Sequence, residues 1–117
     1  MPALTIWHNP RCSKSRQALT LLEARGVEPE VVTYLETAPT AEEIQRLLRK
    51  LGIPARDLMR TKEALYKELG LKEVTDEHAL IEAMAAHPKL IERPVVIMGD
   101  KAVIGRPPEK VAELIEE

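Results

Sequence analysis

Leu4-Thr5-Ile6-Trp7 is a short apolar run that breaks at Asn9-Pro10, the pattern of a buried strand entering a turn. From about Ser13 to Arg25 the apolar residues Ala18, Leu21 and Leu22 share one helical face, and Gly26 stands where a left-handed C-terminal cap is wanted. Val31–Leu35, entered through Pro29, predicts a second strand. Strand, helix and strand in close succession form a βαβ unit, in which the crossover returns the chain to pair in parallel.

The next stretch changes period. Thr40-Ala41-Glu42-Glu43 is a capping box, and Ile44, Leu47, Leu48 and Leu51 follow at helical spacing until Gly52. Ala55–Met59 and Lys62–Leu69 predict two shorter helices, the second stopped by Gly70. Thr75 is the expected cap of a further helix carrying Leu80, Ile81 and Met84, which His87-Pro88 ends. Strand character then returns at Pro94–Met98 and Lys101–Ile104, joined by a Gly99-Asp100 turn. Val111, Leu114 and Ile115 form the stripe of a last helix starting near Pro108, with Glu116-Glu117 as its solvated end. The summed order is βαβ, helices, ββα. This predicts an α/β chain of thioredoxin-like fold with a mixed four-stranded sheet, one domain over 1–117 with a helical insertion at about 40–90.

Composition narrows the function classes. The chain has 117 residues, a formal net charge of -2 and no Phe, so its core is aliphatic and no basic excess favours nucleic acid or a membrane surface. The N-terminal residues lack a basic segment followed by an apolar one, and no apolar run reaches the length of a membrane span. A single cysteine makes neither an internal disulfide nor a thiolate metal site, and His78 and His87 have no second ligand at metal spacing. The expectations are a monomer in a reducing cytoplasm, with no metal and no bound cofactor.

Cys12 lies at the mouth of the first helix, where unpaired N–H groups and the positive end of the helix dipole favour a thiolate. Arg11, Lys14 and Arg16 add cations, and Ser13 and Ser15 offer hydroxyl donors. Burying such neighbours together as filler would be costly, so the position reads as a reactive thiol and as an anion cradle. Arg60, Arg93 and Arg106 also stand out, because a guanidinium offers a permanent, bidentate donor to an oxyanion. Taken singly, each reads first as a surface salt bridge, and spacing alone does not bring them together.

His8-Asn9-Pro10-Arg11-Cys12-Ser13-Lys14-Ser15-Arg16, Leu58–Glu63, Tyr66–Leu71, His87–Pro94 and Ile104–Pro108 resemble, in this order, the glutathione- and glutaredoxin-dependent arsenate reductase family, in its compact subgroup with a short C-terminus. The resemblance runs from Leu4 to Ile115 and implies a thioredoxin-like fold. It implies Cys12 as nucleophile, Arg60, Arg93 and Arg106 as the arginines holding arsenate, His8 and Ser15 as residues tuning the thiolate, and Pro94 as the cis-proline beside the active site. It also implies glutathione as co-substrate and glutaredoxin as partner, with serine at Ser15 where a second cysteine would resolve a disulfide. Two other readings share these residues. One is a glutathione-dependent thiol oxidoreductase acting on mixed disulfides, and the other a redox regulator of the Spx type that binds RNA polymerase.

Overall fold

The computed structural model describes residues 4–115, so Glu116-Glu117 lies outside the described residues. The chain divides into two compact units, Met1–Thr37 with Arg93–Glu117, and Ala38–Glu92.

The first unit holds the sheet. Strands β1 (Leu4–Trp7), β2 (Glu30–Val32), β3 (Val95–Met98) and β4 (Lys101–Ile104) lie in the order β2-β1-β3-β4. β1 and β2 are parallel across helix α1 (Ser13–Ala24), while β1–β3 and β3–β4 are antiparallel. The sheet is therefore mixed, as the predicted βαβ plus hairpin requires. Leu4 and Ile6 point to the same face of β1, and Val96 pairs with Ile6 in register. That face packs on Ala18 and Leu22 of α1 and on Val111 and Leu114 of the last helix, α6 (Lys110–Ile115), giving one continuous aliphatic core. The opposite face carries Trp7 and Val95, which are also buried.

Local chemistry sets the turns. Gly99 has φ 60 and Asp100 has no positive φ, the pattern of a two-residue turn that matches the twist of a hairpin. β2 is shorter than predicted and ends at Val32, because its partner β1 ends at Trp7 and the His8 N–H closes the ladder on the Val32 carbonyl. Thr33–Thr37 then turns, with the N–H groups of Glu36 and Thr37 both donating to the Thr33 carbonyl, and buried Tyr34 belongs to this turn. α6 begins two residues beyond Pro108, after a lead-in turn in which the Lys110 and Val111 N–H groups bond the Pro107 and Pro108 carbonyls.

The second unit is helical: α2 (Ala41–Leu51), α3 (Ala55–Leu58), α4 (Ala64–Glu68) and α5 (Glu77–Ala86), with single 3-10 turns at Leu71–Glu73 and Pro88–Leu90. The capping box at Thr40 is complete: the Glu43 N–H donates to Thr40 Oγ1 and the Thr40 N–H to Glu43 Oε1. Gly52 closes α2 in the left-handed region at φ 68. The cap of α5 is Asp76 and not Thr75; its carboxylate accepts the His78 N–H at 3.1 Å and adds negative charge at the positive end of the helix. Arg56 ties this unit together by donating to the Tyr66 hydroxyl and to the carbonyls of Leu71 and Val74. Among the described residues no helix is long and apolar enough to cross a membrane.

Candidate active site

Cys12 is the N-cap of α1, in extended backbone geometry, and follows a tight loop: its N–H donates to the Asn9 carbonyl at 3.0 Å, and the Asn9 side-chain oxygen accepts the Arg11 N–H. The thiol is buried, with 8% of its residue surface exposed. Burial by itself pushes the thiol pKa up. That effect is outweighed by the backbone N–H of Ser15, the charge of Arg93, the backbone N–H of Lys14 and a hydrogen bond from Arg93, so the net pKa lies below the ordinary cysteine range. The helix start thus acts on the sulfur as it would on any anion, through N–H groups with no partner inside the helix.

Two of the three arginines singled out in the sequence meet Cys12 inside the first unit. Arg106 Nη2 stands 3.7 Å from Cys12 Sγ across a sequence separation of 94. Its Nε donates to the Arg93 carbonyl at 2.8 Å, which couples the two arginines that flank the thiolate. Arg93 precedes β3 and Arg106 follows β4, so pairing of the hairpin brings them side by side. The Arg93–Pro94 and Arg106–Pro107 peptide bonds are both cis. Between them sits Gly105, whose N–H donates to the Pro94 carbonyl at 2.8 Å. A Cβ at Gly105 would meet Pro94 Cγ at 2.9 Å and Val111 Cγ2 at 3.1 Å, so this close approach needs glycine. Arg60 belongs to the second unit, where its guanidinium pairs with Glu63 at 3.0 Å.

His8 and Ser15 form a buried pair, with His8 Nδ1 and Ser15 Oγ 2.6 Å apart. Ser15 Oγ also accepts the Asn9 N–H at 3.0 Å. Burial, and then the charge of Arg16, hold the His8 pKa below its ordinary value. His8 Nδ1 and the Ser15 hydroxyl share this hydrogen bond, and with the Asn9 N–H the hydroxyl bridges strand end, loop and helix. This differs from the expectation of a hydroxyl donor to the sulfur. The Ser15 side chain lies on the buried face of α1, so it is the backbone N–H of Ser15 that favours the thiolate. The cations next to Cys12 in sequence also act differently from expectation. Arg11 and Lys14 are exposed, and the Arg16 guanidinium donates to the Pro10 carbonyl, fixing the loop. The charge beside the sulfur comes from the hairpin.

Among the described residues no group of three His, Cys, Asp or Glu side chains could hold a metal ion. What the site offers is a nucleophilic sulfur facing guanidinium and backbone N–H donors, an arrangement suited to attack on a tetrahedral oxyanion.

Comparison with known proteins agrees in family and fold. The sequence profile of the ArsC family matches residues 7–114. The uncharacterized protein YfgD of Escherichia coli (strain K12) is 58% identical over 112 residues, 94% of each chain. An arsenate reductase of Neisseria meningitidis (serogroup A, strain Z2491) is 51% identical over 117 residues, covering 98% of this chain and 100% of its own. The solved structure of an arsenate reductase from Vibrio cholerae superposes with a TM-score of 0.93 at 53% identity, covering 96% of this chain and 97% of the other. The fold is thus the thioredoxin-like α/β fold of these enzymes.

Proposed function

The chain belongs to the ArsC family, and from that premise we propose that it reduces arsenate to arsenite through the Cys12 thiolate, with glutathione and glutaredoxin as the reducing system in the cytoplasm. The observation that carries this reading is the convergence of Arg106 at 3.7 Å, Arg93 and the Lys14 and Ser15 N–H groups on a thiol held below its ordinary pKa.

In this mechanism the Cys12 thiolate attacks arsenic, an S–As bond forms and hydroxide leaves. Arg93 and Arg106 balance the negative charge on the arsenate oxygens, which lets one anion approach another. A glutathione thiolate then attacks the Cys12 sulfur. The S–S bond forms as the S–As bond breaks, and its electron pair stays on arsenic, which passes from the pentavalent to the trivalent state. Arsenite takes up protons and departs, leaving Cys12 in a mixed disulfide with glutathione. A glutaredoxin thiolate attacks the glutathione sulfur and returns Cys12 as thiolate. Two thiols are oxidised for each arsenic reduced, and only one of them belongs to this chain, consistent with its single cysteine.

The test is arsenate-dependent NADPH oxidation, coupled through glutathione, glutaredoxin and glutathione reductase. Cys12→Ser loses all activity, and Arg93→Ala falls by about a hundredfold, as for loss of a charge-stabilising donor. Full activity in Arg93→Ala would overturn the role given to the arginines.

A further inference from the structure

Arg11 and Lys14 border the nucleophile, yet the mechanism gives neither side chain a task. Arg11 directly precedes Cys12, and its backbone is fixed where its N–H donates to the Asn9 side-chain oxygen at 3.0 Å. Lys14 is the second residue of α1, and side chains in a helix tilt toward its N-terminus, here the end that carries Cys12. Both residues are exposed, and among the described residues neither side chain is engaged in an ion pair. Arg16, the third cation of this segment, differs: its guanidinium is bonded to the Pro10 carbonyl at 2.9 Å. We propose that Arg11 and Lys14 are specificity-determining residues, a cationic rim that draws anionic reactants to Cys12 and sets its preference for charged over neutral electrophiles. The bearing of this rim on arsenate rests on the function proposed above.

An anion approaching this site meets opposition. The chain has a formal net charge of -2, and the nucleophile is itself a thiolate, so both repel it. Arg93 and Arg106 offset that repulsion at the sulfur itself, where Arg106 Nη2 stands 3.7 Å away. They act at a thiol that is 8% exposed, whereas an encounter begins in solvent, where exposed cations meet the reactant first. The first turn of α1 contains no acidic residue to cancel them. Burial raises the Cys12 pKa, and the side-chain charge that opposes it is that of Arg93. The rim thus governs which reactant arrives, and the hairpin arginines govern the sulfur.

The test needs no arsenate. Iodoacetate and iodoacetamide alkylate a thiolate by the same displacement, in which the S–C bond forms as iodide leaves with the electron pair of the C–I bond. They differ by one negative charge, so the ratio of their second-order rates cancels the thiolate fraction and the reactivity of the sulfur. Both rates are read by mass spectrometry of the intact chain, whose sole cysteine is Cys12. At low ionic strength the double variant Arg11→Gln, Lys14→Gln should lower the iodoacetate-to-iodoacetamide ratio about fivefold, since a unit charge several ångströms away in water is worth about two- to threefold. At about 1 M salt, where the Debye length is about 3 Å, variant and wild type should converge. Arg25→Gln removes a cation at the far end of α1, about 18 Å from its start, and should leave the ratio unmoved. An unchanged ratio in the double variant at low salt would overturn the proposal, as would an equal fall in Arg25→Gln and in each single variant. A chain inactive on arsenate that shows the fall would keep the rim and refute the substrate.

Discussion

Replacing Arg106 by Met keeps most of the side-chain bulk and removes a cation whose Nη2 stands 3.7 Å from the Cys12 sulfur. Two unit charges at that distance interact by about 1 kcal/mol in bulk water and by about 4.5 kcal/mol at an effective dielectric constant of 20. The site lies between these limits, because Cys12 is buried and Arg106 is half-exposed. The thiol pKa should therefore rise in Arg106→Met, the direction expected when a cation beside a thiolate is removed. Arg106→Lys should recover much of that shift, since it keeps the charge, but not the Nε bond to the Arg93 carbonyl. The assay is thiolate absorbance near 240 nm followed against pH, supported by the pH dependence of iodoacetamide alkylation. Cys12 is the sole thiol, so the signal has one source. The same midpoint in Arg106→Met and wild type, with an intact circular dichroism spectrum, would refute the reasoning.

Three further outcomes follow from the same structure. Gly105→Ala should cost about 1–3 kcal/mol of stability, because the new Cβ overlaps Pro94 and Val111; urea unfolding should show a lower midpoint with an unchanged slope. Cys12→Ser should remove a pH dependence of stability. A thiol pKa lowered by folding contributes stability that is complete above the ordinary cysteine range and is lost as pH falls through the folded value, so wild type should gain on the variant between mildly acidic and alkaline pH in paired unfolding curves. Arg56→Met should destabilise by about 1–3 kcal/mol, since the Leu71 and Val74 carbonyls and the Tyr66 hydroxyl lose their common donor; thermal unfolding measures it.

Features held by neighbours in sequence were legible in sequence. The capping box at Thr40 and Glu43, the left-handed Gly52 and the Gly99-Asp100 turn each follow from a few adjacent residues. The mixed sheet followed from the βαβ and hairpin order. The end of β2 was not legible, because it depends on where β1 stops pairing. The cap of α5 moved from Thr75 to Asp76, since both residue types cap well and only the helix register selects between them. Cys12 was readable from its place at a helix start. Its partners were not, because Arg93 and Arg106 reach it only once the hairpin has formed, and only the resemblance to a family had pointed to them together. The bond from Arg16 to the Pro10 carbonyl and the inward turn of the Ser15 hydroxyl had no local signal at all, for in sequence each side chain serves equally well as a donor to the sulfur. Gly105 carried one in retrospect, standing between β4 and an arginine of the site.

In the proposed mechanism Cys12 alone takes arsenic through reduction and hands the second sulfur position to an external thiol. A single-turnover reaction with arsenate and glutathione, quenched without glutaredoxin, tests it most directly. One arsenite should form per chain, and mass spectrometry should find one glutathione in disulfide linkage on the Cys12 peptide, only when arsenate is present. Arsenite produced repeatedly without glutaredoxin, or produced while Cys12 stays unmodified, would contradict it.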